Sequence, residues 1–274
     1  MSSSLSLGLS SHCLKDDFTP ESLPQIAQAG FTHLEVFPMD HPWLQTPGDF
    51  QRLGQQARDN GLVTWSLHAP FGYHIAIAGA DELQRREAVG ALTMALDQAQ
   101  ALGVGLVILH PGYYAPASEE REPALLRAVR SFNELWKRAS QRGLKLAVEY
   151  LPPKPEDLGS SAAELLWLKN LTDGEIGFCL DVNHANLGED LVSVVRQLGR
   201  HLLTTHLSDN DGLQEQHWLP GTGVIDWPAL LSALREVGYQ GPLLLESGNF
   251  ETEGLSERLA ALAGAARSTG LALP

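Results

Sequence analysis

The sequence alternates between short apolar runs and longer segments of helical character, and this alternation restricts the fold more than any other feature. Eight apolar runs are each followed by a helical segment, and glycines such as Gly30, Gly61 and Gly143 close several of those segments. Strict alternation is typical of a parallel sheet, and eight units favour closure into a barrel. We therefore predict an α/β fold, a single-domain (β/α)8 barrel, over residues 1–274.

The element boundaries follow from the apolar runs, the caps and the glycines. The predicted strands cover residues 5–9, 32–37, 62–67, 105–109, 144–150, 176–181, 202–207 and 242–246. The predicted helices cover residues 20–29, 48–60, 82–102, 121–142, 160–171, 188–199, 227–237 and 254–269. The main alternative is an open doubly wound sheet. It requires a glycine-rich phosphate turn after the first strand, which Leu9-Ser10-Ser11-His12 does not provide.

Composition narrows the class of protein. The chain has 19 basic and 33 acidic residues, a formal net charge of −14, which argues against a large nucleic-acid footprint. No apolar stretch approaches about 20 residues, so we expect no membrane span. Two cysteines form no disulfide framework, and residues 1–11 lack the pattern of a secretion signal. We therefore expect a cytoplasmic protein.

Polar residues follow the last six predicted strands. In a barrel, the carboxyl ends of the strands meet at one mouth, where such enzymes carry their chemistry. Four of the residues, on consecutive strands, are predicted to bind one divalent metal ion: Glu149, Asp181, His206 and Glu246. A mostly oxygen ligand set suits Mn²⁺, Mg²⁺ or Co²⁺, with Zn²⁺ as an alternative.

The remaining histidines at this mouth are predicted to contact a substrate. His68 and His110 follow the third and fourth strands, and His184 lies three residues after Asp181. His217, in the segment Glu215-Gln216-His217, belongs to the loop after the seventh strand. Two alternatives stay open for His184, which would instead bind a second metal ion or simply cap the following helix.

Over nearly its whole length, the chain resembles the xylose-isomerase-like TIM-barrel superfamily, the group of sugar phosphate isomerases, epimerases and endonuclease IV. The matching segments are His68-Ala69-Pro70, His110-Pro111-Gly112, Val148-Glu149, Leu180-Asp181-Val182-Asn183-His184, Thr205-His206-Leu207-Ser208-Asp209, Pro220-Gly221-Thr222-Gly223, Ile225-Asp226-Trp227 and Leu245-Glu246-Ser247. Together these segments are specific for the superfamily but not for one substrate.

The resemblance implies an activity and assigns roles. In ketose 3-epimerases of this superfamily, the four predicted ligands hold one metal ion, and the residues matching Glu149 and Glu246 also act as acid and base. The residue matching His184 contacts the substrate. Those epimerases carry an arginine after the metal-binding histidine, and this chain has none between His206 and Gly223. We expect an isomerase or epimerase of a small sugar, sugar derivative or cyclic polyol, and a homo-oligomer stays open.

Two further activities follow from the same resemblance. Endonuclease IV binds three zinc ions, and its additional ligands match His68, His110, His184, Glu215 and His217. This keeps a multi-zinc phosphoester hydrolase as the alternative, although the acidic chain has no basic, aromatic-rich loop for DNA. An inosose dehydratase is a closer variant, because its reaction begins with the same proton abstraction.

Overall fold

The computed structural model describes residues 5–115 and 117–271. Within this part of the chain, eight parallel strands form one sheet in the order β7-β6-β5-β4-β3-β2-β1-β8. The strands are β1 Leu7–Ser10, β2 His33–Val36, β3 Val63–His68, β4 Leu106–Leu109, β5 Lys145–Glu149, β6 Ile176–Asp181, β7 Leu202–His206 and β8 Leu243–Leu245. Parallel pairing of Leu207 with Leu245 joins the two ends of this order. The predicted (β/α)8 barrel is confirmed, and the open sheet is excluded.

Helices connect the strands and cover the outside of the barrel. They are α1 Leu23–Gln28, α2 Pro47–Asp59, α3 Glu82–Leu102, α4 Arg121–Ser140, α5 Ala162–Leu171, α6 Val182–Ala185, α7 Leu191–Leu198, α8 Trp227–Glu236 and α9 Leu255–Ser268. One predicted helix start is wrong by three residues, for a local reason. The helix predicted at 188–199 begins only at Leu191, because the Asp190 side chain caps it through Ser193 N–H. The helix predicted at 20–29 begins with the 3-10 turn Pro20–Ser22.

Apolar side chains fill the barrel interior at one end, and polar side chains line it at the other. Leu106, Ile108, Ala147 and Cys179 form a small cluster with Trp65 and Leu203, separate from the larger core. Successive residues of a strand point to opposite faces, so Glu149 faces the same way as Ala147, and Asp181 the same way as Cys179. The apolar cluster therefore forms a floor below the polar strand ends.

Three expectations from the sequence concern a membrane span, disulfides and a secretion signal. In the described part of the chain, no helix combines the length and the apolarity needed to cross a membrane. Cys13 and Cys179 are both buried and free, so they make no disulfide framework. The predicted lack of a secretion signal at residues 1–11 falls in part on residues 1–4, which lie outside the described residues.

Candidate metal centre at the carboxyl ends of the strands

The polar residues that end the strands meet at one edge of the barrel. Glu149, Asp181 and His206 are the last residues of β5, β6 and β7, and Glu246 directly follows β8. Each side chain offers one ligand atom, and the four atoms lie within 4.8 Å of one another. The structure therefore brings together all four side chains that the sequence predicts as metal ligands.

Asp181 uses its two carboxylate oxygens differently. Oδ1 accepts hydrogen bonds from the backbone N–H groups of Asn183 (2.7 Å) and His184 (3.1 Å), which makes Asp181 the N-cap of α6. Oδ2 is buried without a hydrogen-bond partner among the described residues and lies 3.4 Å from Nδ1 of His184. The cap fixes the carboxylate, and the second oxygen is left for an ion.

Glu149 is surrounded by imidazoles. Nε2 of His68 and Nε2 of His110 lie 3.0 Å and 3.3 Å from its Oε2, and Nδ1 of His206 lies 3.5 Å from its Oε1. Burial by itself would raise the pKa of Glu149, but His110 and His206 outweigh it and hold this pKa well below its usual range. Glu149 is therefore ionised, as both a metal ligand and a general base must be.

Glu246 lies against the same ring nitrogen of His206 as Glu149 does, with its Oε2 3.1 Å from Nδ1. Burial raises the pKa of Glu246; His206 acts against this rise, while Glu149 and Asp181 add to it. The two glutamates thus have carboxyl pKa values shifted in opposite directions. Such a separation is a feature of acid–base pairs in active sites.

Glu35, a buried carboxylate in β2, is a further residue of this centre that the polar strand ends did not predict. Glu35 is fully buried, accepts a hydrogen bond from Ser66 Oγ (2.8 Å) and lies 3.1 Å from Nε2 of His206. One signal was available, because Glu35 stands between Leu34 and Val36 in an apolar strand. Its side chain must then point to the opposite face from theirs, into the barrel.

A second cluster, formed by His184, Glu215 and His217, lies beside the four ligands. Nε2 of His184 and Nε2 of His217 are each 3.4 Å from Oε1 of Glu215. Asp181, His184 and His217 also offer ligand atoms within 4.8 Å of one another. Burial lowers the pKa of His184, but Asp181 and Glu215 outweigh this and raise it to about 10. Both of the histidines predicted here lie close to Asp181, one of the four candidate ligands.

The loop that carries Glu215 and His217 is held by the buried Asp209. Its carboxylate accepts hydrogen bonds from Gly221 N–H (2.8 Å), Ile225 N–H (3.2 Å) and Trp227 Nε1–H (3.0 Å). These three donors belong to the superfamily segments that follow the seventh strand. Their position indicates that those segments shape this loop.

His68 and His110, which the sequence predicts to contact a substrate, both contact Glu149 instead of lying free. His68 is 2% exposed and donates from Nδ1 to the carbonyl of Ala69 (2.9 Å). The His110 side chain is 11% exposed, stacks on Phe71 at 4.2 Å between ring centroids, and meets Tyr113 Oη at 2.8 Å. His110 is thus the more accessible of the two to a substrate, and His68 supports Glu149 from below.

The residues present fit a divalent ion. Asp181 Oδ2 and His206 Nδ1 are both buried at the centre without a hydrogen-bond partner in the described part of the chain. Buried polar atoms without partners are costly, and an ion bound by the four ligands would satisfy both. Three carboxylates and one imidazole suit Mn²⁺, Mg²⁺ or Co²⁺ and also accept Zn²⁺.

Comparisons with known proteins agree with this architecture. A fructoselysine 3-epimerase of Escherichia coli O157:H7 is 26% identical over 185 residues, 64% of each chain. A probable endonuclease 4 of Aster yellows witches'-broom phytoplasma is 23% identical over 196 residues, 65% of this chain and 66% of the relative. The crystal structure of a D-tagatose 3-epimerase-like protein matches with a TM-score of 0.81 at 24% identity, over 97% of this chain and 98% of that one. The family model for xylose isomerase-like TIM barrels matches residues 23–267, and the chain belongs to that family.

Proposed function

We propose that this protein is a divalent-metal-dependent isomerase or epimerase of a small sugar, sugar derivative or cyclic polyol. The observation that carries the proposal is the convergence of Glu149, Asp181, His206 and Glu246, whose ligand atoms lie within 4.8 Å of one another. Two of them are glutamates on β5 and just after β8, so a substrate at the centre meets a carboxylate from two sides. Two similar proteins, a fructoselysine 3-epimerase and a D-tagatose 3-epimerase-like protein, support the same reaction class.

The two glutamates carry the proton transfers in this proposal. Epimerisation next to a carbonyl requires one group to remove the proton on carbon and another to return a proton to the opposite face. Oε2 of Glu149 is held by His68 and His110, so its Oε1 is the atom turned toward the centre. Oε2 of Glu246 lies 3.1 Å from Nδ1 of His206, the same ring nitrogen that Oε1 of Glu149 approaches at 3.5 Å. A divalent ion at the four ligands would polarise the carbonyl and stabilise the charge that develops on its oxygen.

A conversion screen tests this proposal. Purified protein supplied with Mn²⁺, Mg²⁺ or Co²⁺ is incubated with a panel of ketoses and inososes, and the products are followed by NMR. We expect conversion of at least one compound, its loss after treatment with a chelator, and its return when the metal is restored. Unchanged turnover by the chelator-treated protein would contradict the metal requirement. A dehydrated product from an inosose would assign the dehydratase variant.

One observation favours a second candidate, a multi-zinc phosphoester hydrolase. A carbonyl oxygen only accepts hydrogen bonds, so Nδ1 of His68 and Nδ1 of His184 must carry their protons toward Ala69 O and Tyr150 O. The Nε2 atoms of the two rings then face carboxylate oxygens, at 3.0 Å and 3.4 Å. Two acceptors do not face each other stably. Each pair is satisfied by a proton on Nε2, in line with the raised pKa of both rings in the metal-free protein, and an additional metal ion would take the place of that proton.

Metal content separates the two candidates. Elemental analysis of the purified protein should give one divalent ion per chain for the isomerase or epimerase. Two to three zinc ions per chain, together with cleavage of a duplex that contains an abasic site, would support the hydrolase instead.

A further inference from the structure

We propose that Glu35 is a positioning residue that prepares His206 to bind the metal ion through Nδ1. This inference rests on the proposed function, because it concerns the same centre. It adds a residue from β2, outside the group of strand ends that carry the ligands.

The Glu35 carboxylate contacts Nε2 of the His206 ring. Nε2 of His206 lies 3.1 Å from Oε1 and 3.3 Å from Oε2 of Glu35, and both side chains are fully buried. Ser66 Oγ donates to Oε2 at 2.8 Å and so fixes the orientation of the carboxylate. Glu35 therefore faces the ring nitrogen that points away from the other ligands.

The opposite nitrogen faces the proposed centre. Nδ1 of His206 is buried without a hydrogen-bond partner among residues 5–115 and 117–271. It lies 3.1 Å from Oε2 of Glu246 and 3.5 Å from Oε1 of Glu149. Nε2 donates its proton to the Glu35 carboxylate, so Nδ1 is the nitrogen whose lone pair is left for a metal ion. A carboxylate that holds the remote nitrogen of a ligating histidine fixes the ring and increases its basicity.

Stability alone does not account for Glu35. Burying a carboxylate costs several kcal/mol, roughly, unless strong partners offset it, and an apolar residue of similar volume is often at least as stable. The two neighbours of Glu35 in the strand, Leu34 and Val36, are apolar and buried. A charge in this position is therefore better explained by the histidine that it holds.

Metal binding to three variants tests the inference. Glu35→Gln keeps the shape but loses the charge and one acceptor, and Glu35→Leu removes both acceptors. The matched control is Glu189→Gln, the same change at a part-buried carboxylate that accepts from Tyr150 Oη (2.6 Å) and Ala162 N–H (2.7 Å). Mn²⁺ affinity is measured by calorimetry on folded, chelator-treated protein, and the visible spectrum of the Co²⁺ form reports the ligand environment.

The variants should differ in their affinity for Mn²⁺. Glu35→Gln should bind Mn²⁺ about tenfold more weakly than wild type and Glu35→Leu up to about 100-fold more weakly, with altered Co²⁺ spectra. Glu189→Gln should stay close to wild type. Affinity of folded Glu35→Gln within twofold of wild type overturns the inference, and so does an equal loss in the control. Wild type that binds no divalent ion would instead defeat the proposed function, so the two failures are distinguishable.

Discussion

Substitution of Asp181 separates its observed role as a helix cap from its proposed role as a metal ligand. Asp181→Asn keeps an oxygen that accepts from the backbone N–H groups of Asn183 and His184, but it removes the charge of the second oxygen. Asp181→Ala removes the cap and the charge together. We expect both variants to lose stoichiometric metal binding, and only the alanine variant to lose substantial stability.

The magnitude follows from the two hydrogen bonds. Removing an N-cap side chain costs about 0.5–2 kcal/mol, and leaving a buried donor unsatisfied costs about 1–3 kcal/mol. Because Asp181 is fully buried, water does not readily replace the lost oxygen at either donor. We therefore expect the free energy of unfolding of the metal-free protein to fall by about 2–4 kcal/mol in Asp181→Ala and by less than about 1 kcal/mol in Asp181→Asn.

Urea denaturation of chelator-treated protein measures the stability difference, and calorimetry with Mn²⁺ measures binding to the folded proteins. The capping argument is refuted if Asn destabilises the protein as much as Ala, or if Ala costs less than about 0.5 kcal/mol. The ligand assignment is refuted if Asp181→Asn binds the ion with the affinity of wild type.

Three further predictions follow from the site and its surroundings. Glu149→Gln and Glu246→Gln should each lower turnover of an accepted sugar by orders of magnitude and weaken metal binding less than Asp181→Ala; near-normal rates in both would contradict their roles. The net charge of −14 predicts no useful DNA binding at physiological salt, and any weak binding should vanish steeply as salt rises. Salt-resistant binding and cleavage of an abasic duplex, in gel and nicking assays, would contradict this. Burial raises the pKa of Asp157 to about 6; Lys154 opposes this rise and Glu156 adds to it. The folded state then holds a proton that the unfolded chain releases near pH 4. The free energy of unfolding should therefore fall as the pH rises from about 4 to 6. In urea titrations, Asp157→Asn should remove up to about 3 kcal/mol of that fall. An unchanged pH dependence in the variant would contradict the shift.

The sequence was sufficient for the barrel and for the position of the four strand-end residues. The last six apolar runs are short and each leads to a polar residue, and a barrel of eight alternating units brings the carboxyl ends of all its strands together. Helix starts were less certain. Asp181 was interpreted as a ligand, so its simultaneous role as the cap of α6 was not predicted, and the next helix was placed three residues too early, at 188 rather than Leu191.

Contacts between distant parts of the chain were beyond the reach of sequence patterns. Glu35 and His206 are 171 residues apart, and nothing in the local sequence of either indicates the other. The sequence also does not show which residues the loop residue Glu215 contacts. Its carboxylate pairs with Lys154 Nζ at 2.7 Å while it faces His184, which depends on how two separate loops fold over the mouth.

Solvent hydrogen exchange tests the central proposal, proton abstraction by a glutamate pair, more directly than any other measurement. Wild-type protein with its metal ion converts an accepted sugar in D₂O, and NMR locates deuterium in the product. One carboxylate removes the proton, and the other carboxyl group returns a hydrogen that it has exchanged with the solvent. We therefore predict deuterium at the carbon whose configuration or oxidation level changes. A product formed in D₂O without solvent deuterium would contradict the proposal and indicate a direct hydride shift.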